Sequence, residues 1–282
     1  MPDPWDALRL PPQPVAPDPA FAAALRARMI DALLAPTTKE PVVNSSATTR
    51  DATPPAPRNG LQHGDISYLT FGVDDAVRAR AFYGPLFGWA FEPGDPSPRS
   101  QVRGVRPEMG LHADGTRAGV VLAYRVDDIA VAVERQYAWE ADCVDPHGIP
   151  FYLHQFEDGP TQTADLANGA HHGDVAYITL GVPDLASAQA FYGAVLGWTF
   201  SAGRSGQGGQ TNSVTPMTGI WGGGDWTGAR LAYRVDDIAA AVEQVAALGG
   251  TTGPVERRPY GLACDDCVDD QGSPFMLLQL AD

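Results

Sequence analysis

The sequence predicts an α+β protein in which one small domain occurs twice in tandem. Two observations support this prediction. A segment of 32 residues that begins at His63 recurs 109 positions later, at His172, with 17 of the 32 residues identical. Within each copy, short strands of alternating polarity are followed by single amphipathic helices, an order typical of α+β folds. A repeat that keeps one register over this distance indicates a duplicated domain.

The repeat also sets the predicted domain boundaries. A second segment, LAYRVDDIA, begins at Leu122 and again at Leu231, at the same offset of 109. Further on, the matching residues Cys143 and Cys267 lie 124 positions apart, so the second copy has 15 additional residues before its last strand. We therefore expect domains at residues 61–158 and 171–282, a linker at 159–170, and a first domain that is shorter by about one strand.

A region of different character, residues 1–60, precedes both copies. Asp18 and Pro19 favour the start of a helix, and apolar side chains then recur on one helical face, at Phe21, Leu25, Met29 and Leu33. Residues 36–60 are rich in Pro, Thr, Ser and Ala and are typical of a flexible linker. The helix is interpreted either as a contact for a partner or as an element that packs on its own domains. Its single apolar stripe favours the second interpretation.

Periodicity predicts the same order of elements in both copies. In the first copy, a strand at 66–73 is followed by a helix that ends at Gly88, and a strand at 121–126 by a helix that begins at Ile129. The corresponding elements of the second copy are expected at 175–182, 186–196, 231–235 and 237–248.

Composition and charge exclude several classes of partner. The formal net charge of −15 argues against nucleic acids and against anionic membrane surfaces, both of which need clustered Lys and Arg. The sequence has no apolar run of transmembrane length and no apolar run of a secretory signal at its N-terminus. Three cysteines are too few for a disulfide scaffold. We expect a soluble, cytoplasmic protein that binds neither nucleic acid nor membrane.

Several motifs resemble those of one superfamily. The segments VPDLASAQAFYGAVLGW, LAYRVDDIAAAVEQVAALGG and DDQGSPFMLLQ look like the vicinal oxygen chelate superfamily, which includes glyoxalase I, bleomycin-resistance proteins and extradiol dioxygenases. The resemblance covers residues 63–158 and 172–281. The two-domain layout is similar to that of the tandem glyoxalase-like proteins of actinomycetes. It implies two tandem glyoxalase-like domains, each of paired βαβββ modules that form a funnel-shaped sheet with helices outside and the ligand inside.

The resemblance also indicates where a metal site would lie. Metal enzymes of this superfamily take His, Gln or Glu ligands from three positions on facing strands. The matching residues are Tyr68, Val121 and Tyr152 in the first copy, and Tyr177, Arg230 and Met276 in the second. None of these is a usual ligand, and Arg230 would repel a cation. The inherited metal site is therefore predicted to be absent, and no cofactor is expected.

Other metal or redox sites have little support in the sequence. Cys264 and Cys267 have the CxxC spacing, but zinc needs two more ligands and redox motifs of this kind begin a helix, whereas this one precedes a strand. We interpret the two cysteines as small residues on a strand. The six histidines include no pair at the spacing of metal ligands on a helix.

Strand alternation predicts which side chains face the funnel. Tyr68 and Thr70 in the first copy match Tyr177 and Thr179 in the second, and all four alternate with apolar residues that cover the helices. Two interpretations stay open. The four hydroxyls bind a ligand, or they plug the funnel and are satisfied internally. Tyr152 and Met276 are further candidate ligand-binding residues.

The second copy is predicted to contain the working site. Trp221 and Trp226 lie in a glycine-rich segment at the expected funnel rim, where the first copy has His112 and Arg117. Aromatic rings there would stack on a planar ligand, and Arg230 would select an anionic oxygen. Arg125 and Arg234 stand at strand ends beside Asp pairs, so we interpret them as members of surface ion pairs.

A candidate acid–base set follows from the same residues. Tyr177 close to Arg230 would have a lowered pKa and act as proton donor or acceptor, with help from Asp225. His154, on the last strand of the first copy, is a second candidate base, although a histidine at this position is more often a rim residue.

Four functions are compatible with these residues. The first is a metal-independent binding protein of the bleomycin-resistance type for an aromatic or natural-product-like ligand. Nearly level with it is a metal-free isomerase, cyclase or lyase that uses Tyr177 and Arg230. A metal-dependent glyoxalase or dioxygenase ranks third. An interaction module, in which the duplicated domains serve as a scaffold, ranks fourth. Both a monomer and a homodimer are compatible with the duplication.

Overall fold

The computed structural model describes residues 60–91, 98–113, 115, 119–129, 133–134, 139–156, 169–203 and 206–281. The predicted N-terminal helix lies outside the described residues. So do nearly all of the two predicted linkers. The helix expected from Ile129 is wrong at the part that is described, because Val133–Glu134 form a strand; the other residues from 130 to 138 lie outside the described residues.

The first half of the described chain contains one helix and seven strands. The helix α1 spans Ala76–Phe87. The strands are β1 (Ile66–Gly72), β2 (Arg99–Val102), β3 (Met109–His112), β4 (Gly119–Arg125), β5 (Val133–Glu134), β6 (Trp139–Val144) and β7 (Pro150–Gln155).

The second half follows the same order and contains two described helices. These are α2 (Leu185–Leu196) and α3 (Ile238–Ala247). Its strands are β8 (Val175–Gly181), β9 (Thr199–Ala202), β10 (Gly208–Asn212), β11 (Thr218–Trp221), β12 (Gly228–Arg234), β13 (Thr251–Thr252), β14 (Glu256–Arg258), β15 (Gly261–Val268) and β16 (Pro274–Leu280). The predicted domain boundaries stay a prediction.

All sixteen strands belong to one open, mixed sheet. In the first half, β1 pairs with β3 in parallel and with β4 in antiparallel orientation, and β4 pairs with β7 in parallel. In the second half, β8 pairs in the same way with β11 and β12, and β12 with β16. The halves meet where Val120 on β4 pairs with Ala229 on β12. A sheet-dominated fold with few helices confirms the predicted α+β class. Within the described residues, no helix is long and apolar enough to cross a membrane.

Aspartate and glycine residues set the ends of the helices. The Asp75 carboxylate accepts the backbone N–H groups of Val77 and Arg78 at the start of α1. Asp184 and Asp237 cap α2 and α3 in the same way. Gly88 and Gly197 end α1 and α2 with φ angles of 69° and 67°, a left-handed conformation that favours glycine. The sequence motif thus places each helix directly after a strand.

The first helix of each half packs against the sheet of the other half. On α1, Phe82 meets Phe275 of β16 with ring centroids 6.1 Å apart, and on α2, Phe191 meets Phe151 of β7 at 6.0 Å. Both contacts are edge-to-face, an arrangement that aromatic pairs favour. The buried side chains of the two halves therefore form one continuous core.

Two buried hydrogen bonds fix this reciprocal packing. The Tyr83 hydroxyl on α1 donates to Asp269 at 2.8 Å, and the Tyr192 hydroxyl on α2 donates to Asp145 at 3.0 Å. Burial, and next the charge of Asp269, raise the pKa of Tyr83 well above its usual value. For Tyr192, burial is again the largest cause of a raised pKa. Both phenols therefore stay protonated and keep their role as donors.

Two indole groups tie the halves together in the same reciprocal way. The Trp89 Nε1 donates to the carbonyl of Gly173 at 3.0 Å, and the Trp198 Nε1 donates to the carbonyl of Gly64 at 2.9 Å. Each glycine has a positive φ and lies against the other half, where a side chain would overlap the backbone. Four long-range hydrogen bonds thus join the halves around a shared aromatic core.

We predict that Tyr83→Phe and Tyr192→Phe each destabilise the protein. Each substitution leaves a buried aspartate oxygen without its phenol donor, which costs about 1–3 kcal/mol. Chemical denaturation followed by circular dichroism measures the change in the free energy of unfolding. The control is Tyr260→Phe at an exposed tyrosine, for which we expect a change within about 0.5 kcal/mol. Equal effects of all three substitutions would contradict the proposed role of the two buried bonds.

Candidate functional site

The concave face of each half is formed by side chains that alternate with the core. On β8, Ile178 and Leu180 are buried in the shared core, whereas Tyr177 packs in a separate cluster with Met276 on the opposite face. In the first half, Tyr68 packs in the same way with Tyr152. The structure therefore brings the predicted pair Tyr68 and Tyr152 together, and the predicted pair Tyr177 and Met276.

A tyrosine–glutamine pair occupies each concave face. The Tyr68 hydroxyl donates to Gln101 at 2.9 Å, and the Tyr177 hydroxyl donates to Gln210 at 2.7 Å. Each tyrosine ring crosses a glycine, Gly110 or Gly219, at which a side chain would overlap the hydroxyl. Neither glutamine was predicted as a site residue. They are 109 positions apart, so the repeat offset would have found them.

Tyr177 has the opposite ionisation behaviour from that expected. Burial, and next the neighbouring Tyr260, raise the pKa of Tyr177 to about 12. The expectation of a pKa lowered by Arg230 is therefore wrong for this structure. Arg230 lies across from Thr179 on the strand pair, and Tyr177 lies across from Ala232. At neutral pH, Tyr177 is a protonated phenol that donates a hydrogen bond.

Arg230 is held against a tryptophan ring. Its guanidinium carbon lies 4.0 Å from the centroid of Trp226, within the range of a cation–π contact. The Trp226 ring in turn covers Gly181, where a side chain would overlap it. Gly224 lies against the indole nitrogens of both Trp226 and Trp221. The structure thus brings Trp221 and Trp226, which were predicted at the rim, together with Arg230, which was predicted at a ligand position of the superfamily.

A cavity of about 260 Å³ lies beside this group, where the two halves meet. The second half contributes Trp226 and Arg230 to its wall. Apolar side chains come from both halves, at Phe71, Val120, Ile149 and Pro274. The sequence placed the pocket within the second copy alone, whereas this cavity needs residues of the first half as well. It combines an aromatic face, one cation and apolar walls.

The remaining predicted polar residues have other roles. Thr70 is buried, and the side chain of Asp225 is exposed. Arg125 lies 3.4 Å from Asp127 and also donates to the carbonyl of Leu61. Arg234 lies 3.8 Å from Asp236 and donates to the carbonyls of Gly169 and Ala170. Both arginines form the ion pairs expected of them and also hold the segment that precedes the first strand of their half. Arg125, however, is buried rather than on the surface.

His154 is not a rim residue. Only 3% of it is exposed, and its two ring nitrogens lie within 3.0 Å of the Ser67 hydroxyl and 3.3 Å of the Glu140 carboxylate. Neither Ser67 nor Glu140 was predicted from the sequence, because strand alternation places Ser67 on the core side and Glu140 lies in no motif.

The donor set at the superfamily's metal positions does not fit a divalent cation. Val121 has no donor atom, and Arg230 brings a positive charge to the position. The hydroxyls of Tyr68 and Tyr177 already donate to glutamines. Among the described residues, no group of three or more His, Cys, Asp or Glu side chains lies close enough to hold a metal ion.

The CxxC cysteines are a buried pair of thiols. Their sulfur atoms lie 3.4 Å apart on β15, and both residues are buried. Burial, and next the hydrogen bond with Cys264, raise the pKa of Cys267 far above its usual value. A metal ligand or redox nucleophile must be a thiolate, so the geometry favours the interpretation of small residues on a strand.

Comparisons with known proteins agree with this architecture. Residues 177–278 match the glyoxalase-like domain family. Similar solved structures include a catechol 2,3-dioxygenase, with a TM-score of 0.57, 15% identity, and coverage of 78% of this chain and 90% of that chain. A Mn(II)-bound glyoxalase from Novosphingobium aromaticivorans has a TM-score of 0.56, 18% identity, and coverage of 77% and 82%. The 2,3-dioxygenase LapB from Pseudomonas sp. KL28 has a TM-score of 0.55, 14% identity, and coverage of 79% and 94%.

No curated protein sequence matches the chain significantly. Residues 177–278 are nevertheless similar to the glyoxalase-like domain family, and the chain shares its fold with a dioxygenase and a glyoxalase of the kind that the vicinal oxygen chelate superfamily includes. The resemblance found in the sequence is confirmed at this level.

We predict that all three cysteines react slowly in the folded protein. Burial, and next the charge of Asp142, raise the pKa of Cys143 to about 11, and Cys264 and Cys267 are buried. Alkylation by iodoacetamide at pH 8, followed by mass spectrometry, should be at least about 100-fold slower than in denaturant, because little thiolate is present or accessible. Fast labelling of Cys264 or Cys267 in the folded protein would instead indicate a reactive CxxC motif.

Proposed function

We propose that the protein is a metal-independent binding protein for a small planar aromatic ligand with an anionic group. The observation that carries the proposal is the contact of Arg230 with Trp226 beside the cavity. The glyoxalase-like fold supports a small-molecule function, since pockets in proteins are commonly apolar with a few placed polar groups.

The geometry of the Arg230–Trp226 pair favours an anion. A guanidinium that stacks on an aromatic face keeps N–H groups at its edge, and these match the two oxygens of a carboxylate. Arg230 is half-buried, so an ion pair there is screened less than one on the open surface. Arg230 therefore accounts for the selection of charge.

The other walls of the cavity favour an aromatic body for the ligand. Phe71, Ile149 and Pro274 offer apolar surface, and the Trp226 ring offers a flat one. A volume of about 260 Å³ is small for an organic ligand, which favours one or two fused rings over a large natural product. Of the aromatic or natural-product-like ligands expected from the sequence, the cavity therefore favours the small aromatic ones.

A metal-free isomerase, cyclase or lyase has less support. A role for Tyr177 as a base near neutral pH is disfavoured, because burial keeps this phenol protonated and its hydroxyl donates to Gln210. A role as proton donor is compatible with the same geometry. Detection of turnover would move this function ahead of simple binding.

We predict that Arg230→Ala weakens the binding of an aromatic anion selectively. The matched probes are 1-naphthoate and the neutral 1-naphthamide, with affinities measured by isothermal titration calorimetry. Loss of a charge-assisted hydrogen bond, worth about 1.5–3 kcal/mol, should weaken naphthoate binding about 10- to 100-fold and leave naphthamide nearly unchanged. Trp226→Leu should weaken both probes, since it removes the flat wall.

The control for charge is Arg257→Ala, which removes the same charge from an exposed position. It should leave both affinities unchanged. If Arg230→Ala and Arg257→Ala lost the same amount of naphthoate affinity, the effect would come from the net charge of the protein and not from Arg230 itself. If neither probe binds the parent protein at millimolar concentration, an aromatic ligand in the cavity is contradicted.

We also predict that the protein retains no stoichiometric divalent metal. The purified full chain is incubated with Mn²⁺, Fe²⁺ or Zn²⁺, desalted, and its metal content is measured by mass spectrometry. Less than about one tenth of an equivalent is expected, because the three strand positions lack a usual ligand set. One equivalent of Mn²⁺ or Fe²⁺ would favour chemistry like that of the metal-dependent structural neighbours.

A further inference from the structure

A buried polar trio lies on the concave face of the first half. His154 on β7 places one ring nitrogen, Nδ1, 3.0 Å from the hydroxyl of Ser67 on β1. Its other nitrogen, Nε2, lies 3.3 Å from the carboxylate of Glu140 on β6. Three strands of one sheet, with β4 between β1 and β7, thus align a hydroxyl, an imidazole and a carboxylate in that order.

A β-bulge places Ser67 at this point. Ile66 pairs with Tyr124 and Tyr68 with Ala123, so Ser67 is the additional residue between the two pairs. Its hydroxyl lies 3.1 Å from the carbonyl of Ala123, on the concave side of the sheet. Bulges of this kind commonly re-aim a side chain beside a functional site.

The second half shows what the fold itself requires at these positions. The bulge of β8 holds Ala176, and the strand pair that matches Glu140 and His154 holds Ala263 and Leu278. With Ala232 these residues form a separate apolar cluster. The same backbone is therefore filled by alanine and leucine in one half and by a polar trio in the other.

Burial of the trio has a cost that the apolar cluster avoids. Only 8% of Ser67 and 3% of His154 are exposed, and buried polar groups are destabilising unless their hydrogen bonds are fully satisfied. Since the second half packs without them, packing alone does not explain the three side chains. Their order instead matches that of an activated nucleophile.

We propose that Ser67 is a nucleophile, with His154 as its general base and Glu140 as a positioning residue. The Glu140 carboxylate accepts a hydrogen bond from the N–H group at Nε2 of His154. This fixes the tautomer in which Nδ1 has no proton and can accept one from Ser67. The hydroxyl of Ser67 has one proton, which it donates either to the Ala123 carbonyl or to Nδ1. Rotation about its Cβ–Oγ bond selects the second arrangement.

The chemistry that this arrangement supports is acyl transfer from a small ester. The Ser67 oxygen forms a bond to the carbonyl carbon, and its proton passes to Nδ1 of His154. The ester C–O bond then breaks, and the departing alkoxide takes this proton. Water reacts with the acyl-serine by the reverse sequence, with His154 as base, and releases the carboxylic acid and free Ser67.

Neighbouring side chains indicate which acyl groups fit. The Tyr152 ring stacks on His154 with centroids 6.4 Å apart, and the Tyr68 ring lies 6.5 Å away. Val121 and Ala123 complete an apolar cluster with both tyrosines. Short alkyl or flat aromatic acyl groups on activated esters are therefore the preferred class. None of Ser67, His154 and Glu140 lines the Arg230 cavity, so the two proposals stand or fall separately.

The test uses a fluorophosphonate probe and p-nitrophenyl acetate on the full chain. Peptide mass mapping should find the phosphonate adduct on Ser67 and not on Ser201, whose hydroxyl donates to Asn212 and has no histidine partner. Three variants adopt the residues of the second half: Ser67→Ala, His154→Leu and Glu140→Ala. Ser67→Ala should abolish the adduct, and His154→Leu should slow it about 100-fold or more.

Folding and positioning are separated by two further readouts. The triple variant Ser67→Ala/His154→Leu/Glu140→Ala should keep the melting temperature of the parent or raise it, because it fills all three positions with the residues that the second half has. Each single variant leaves a polar partner unsatisfied and should lower the melting temperature by a few degrees. Glu140→Ala should lower the maximal rate of ester hydrolysis and leave the half-saturating ester concentration near that of the parent. A parent protein without an adduct on Ser67, or His154→Leu labelled as fast as the parent, would overturn the proposal.

Discussion

The exchange of first helices between the two halves is the constraint on which the rest of the structure depends. Neither α1 nor α2 covers only its own sheet, because Phe82 and Phe191 pack on the last strand of the opposite half. The buried bonds from Tyr83 to Asp269 and from Tyr192 to Asp145 fix the angle of this packing. With the helix-covered sides joined in one core, the concave face of each half lies outside that core.

The two concave faces differ although their frames match. Both keep a tyrosine that crosses a glycine and donates to a glutamine. Beneath this shared pair, the first half buries a serine, a histidine and a glutamate, whereas the second half buries alanines and a leucine. At the junction of the halves, Arg230 and Trp226 add a cation and a flat ring. The polar side chains thus lie beneath the tyrosine in the first half and beside the cavity in the second.

Much of the fold was predictable because local signals agree with the tertiary structure. The Asp residues of the VDD and VPD turns cap helices, and Gly88 and Gly197 end them, so the helices lie where periodicity placed them. The reciprocal packing was not predictable, since no local pattern tells whether Phe82 faces its own sheet or that of the other half. For the site, Trp226 was predicted from its glycine-rich segment and Arg230 from its match to a ligand position of the resembled superfamily. The structure places the two in contact, and their role in ligand binding stays a prediction. Ser67 was missed, because a bulge changes which face a residue meets and periodicity alone does not show a bulge.

The reciprocal core has a consequence for how the two sites change over time. In a dimer of identical chains, a substitution on one concave face appears on the other as well, and both sites must tolerate it. Here the faces are encoded separately, while the helices and the Tyr–Asp bonds that join the halves are encoded twice and depend on one another. Substitutions can therefore change the residues of one concave face without changing those of the other. The alanines beneath Tyr177 and the serine beside Tyr68 show that matching backbones in the two halves accommodate different side chains.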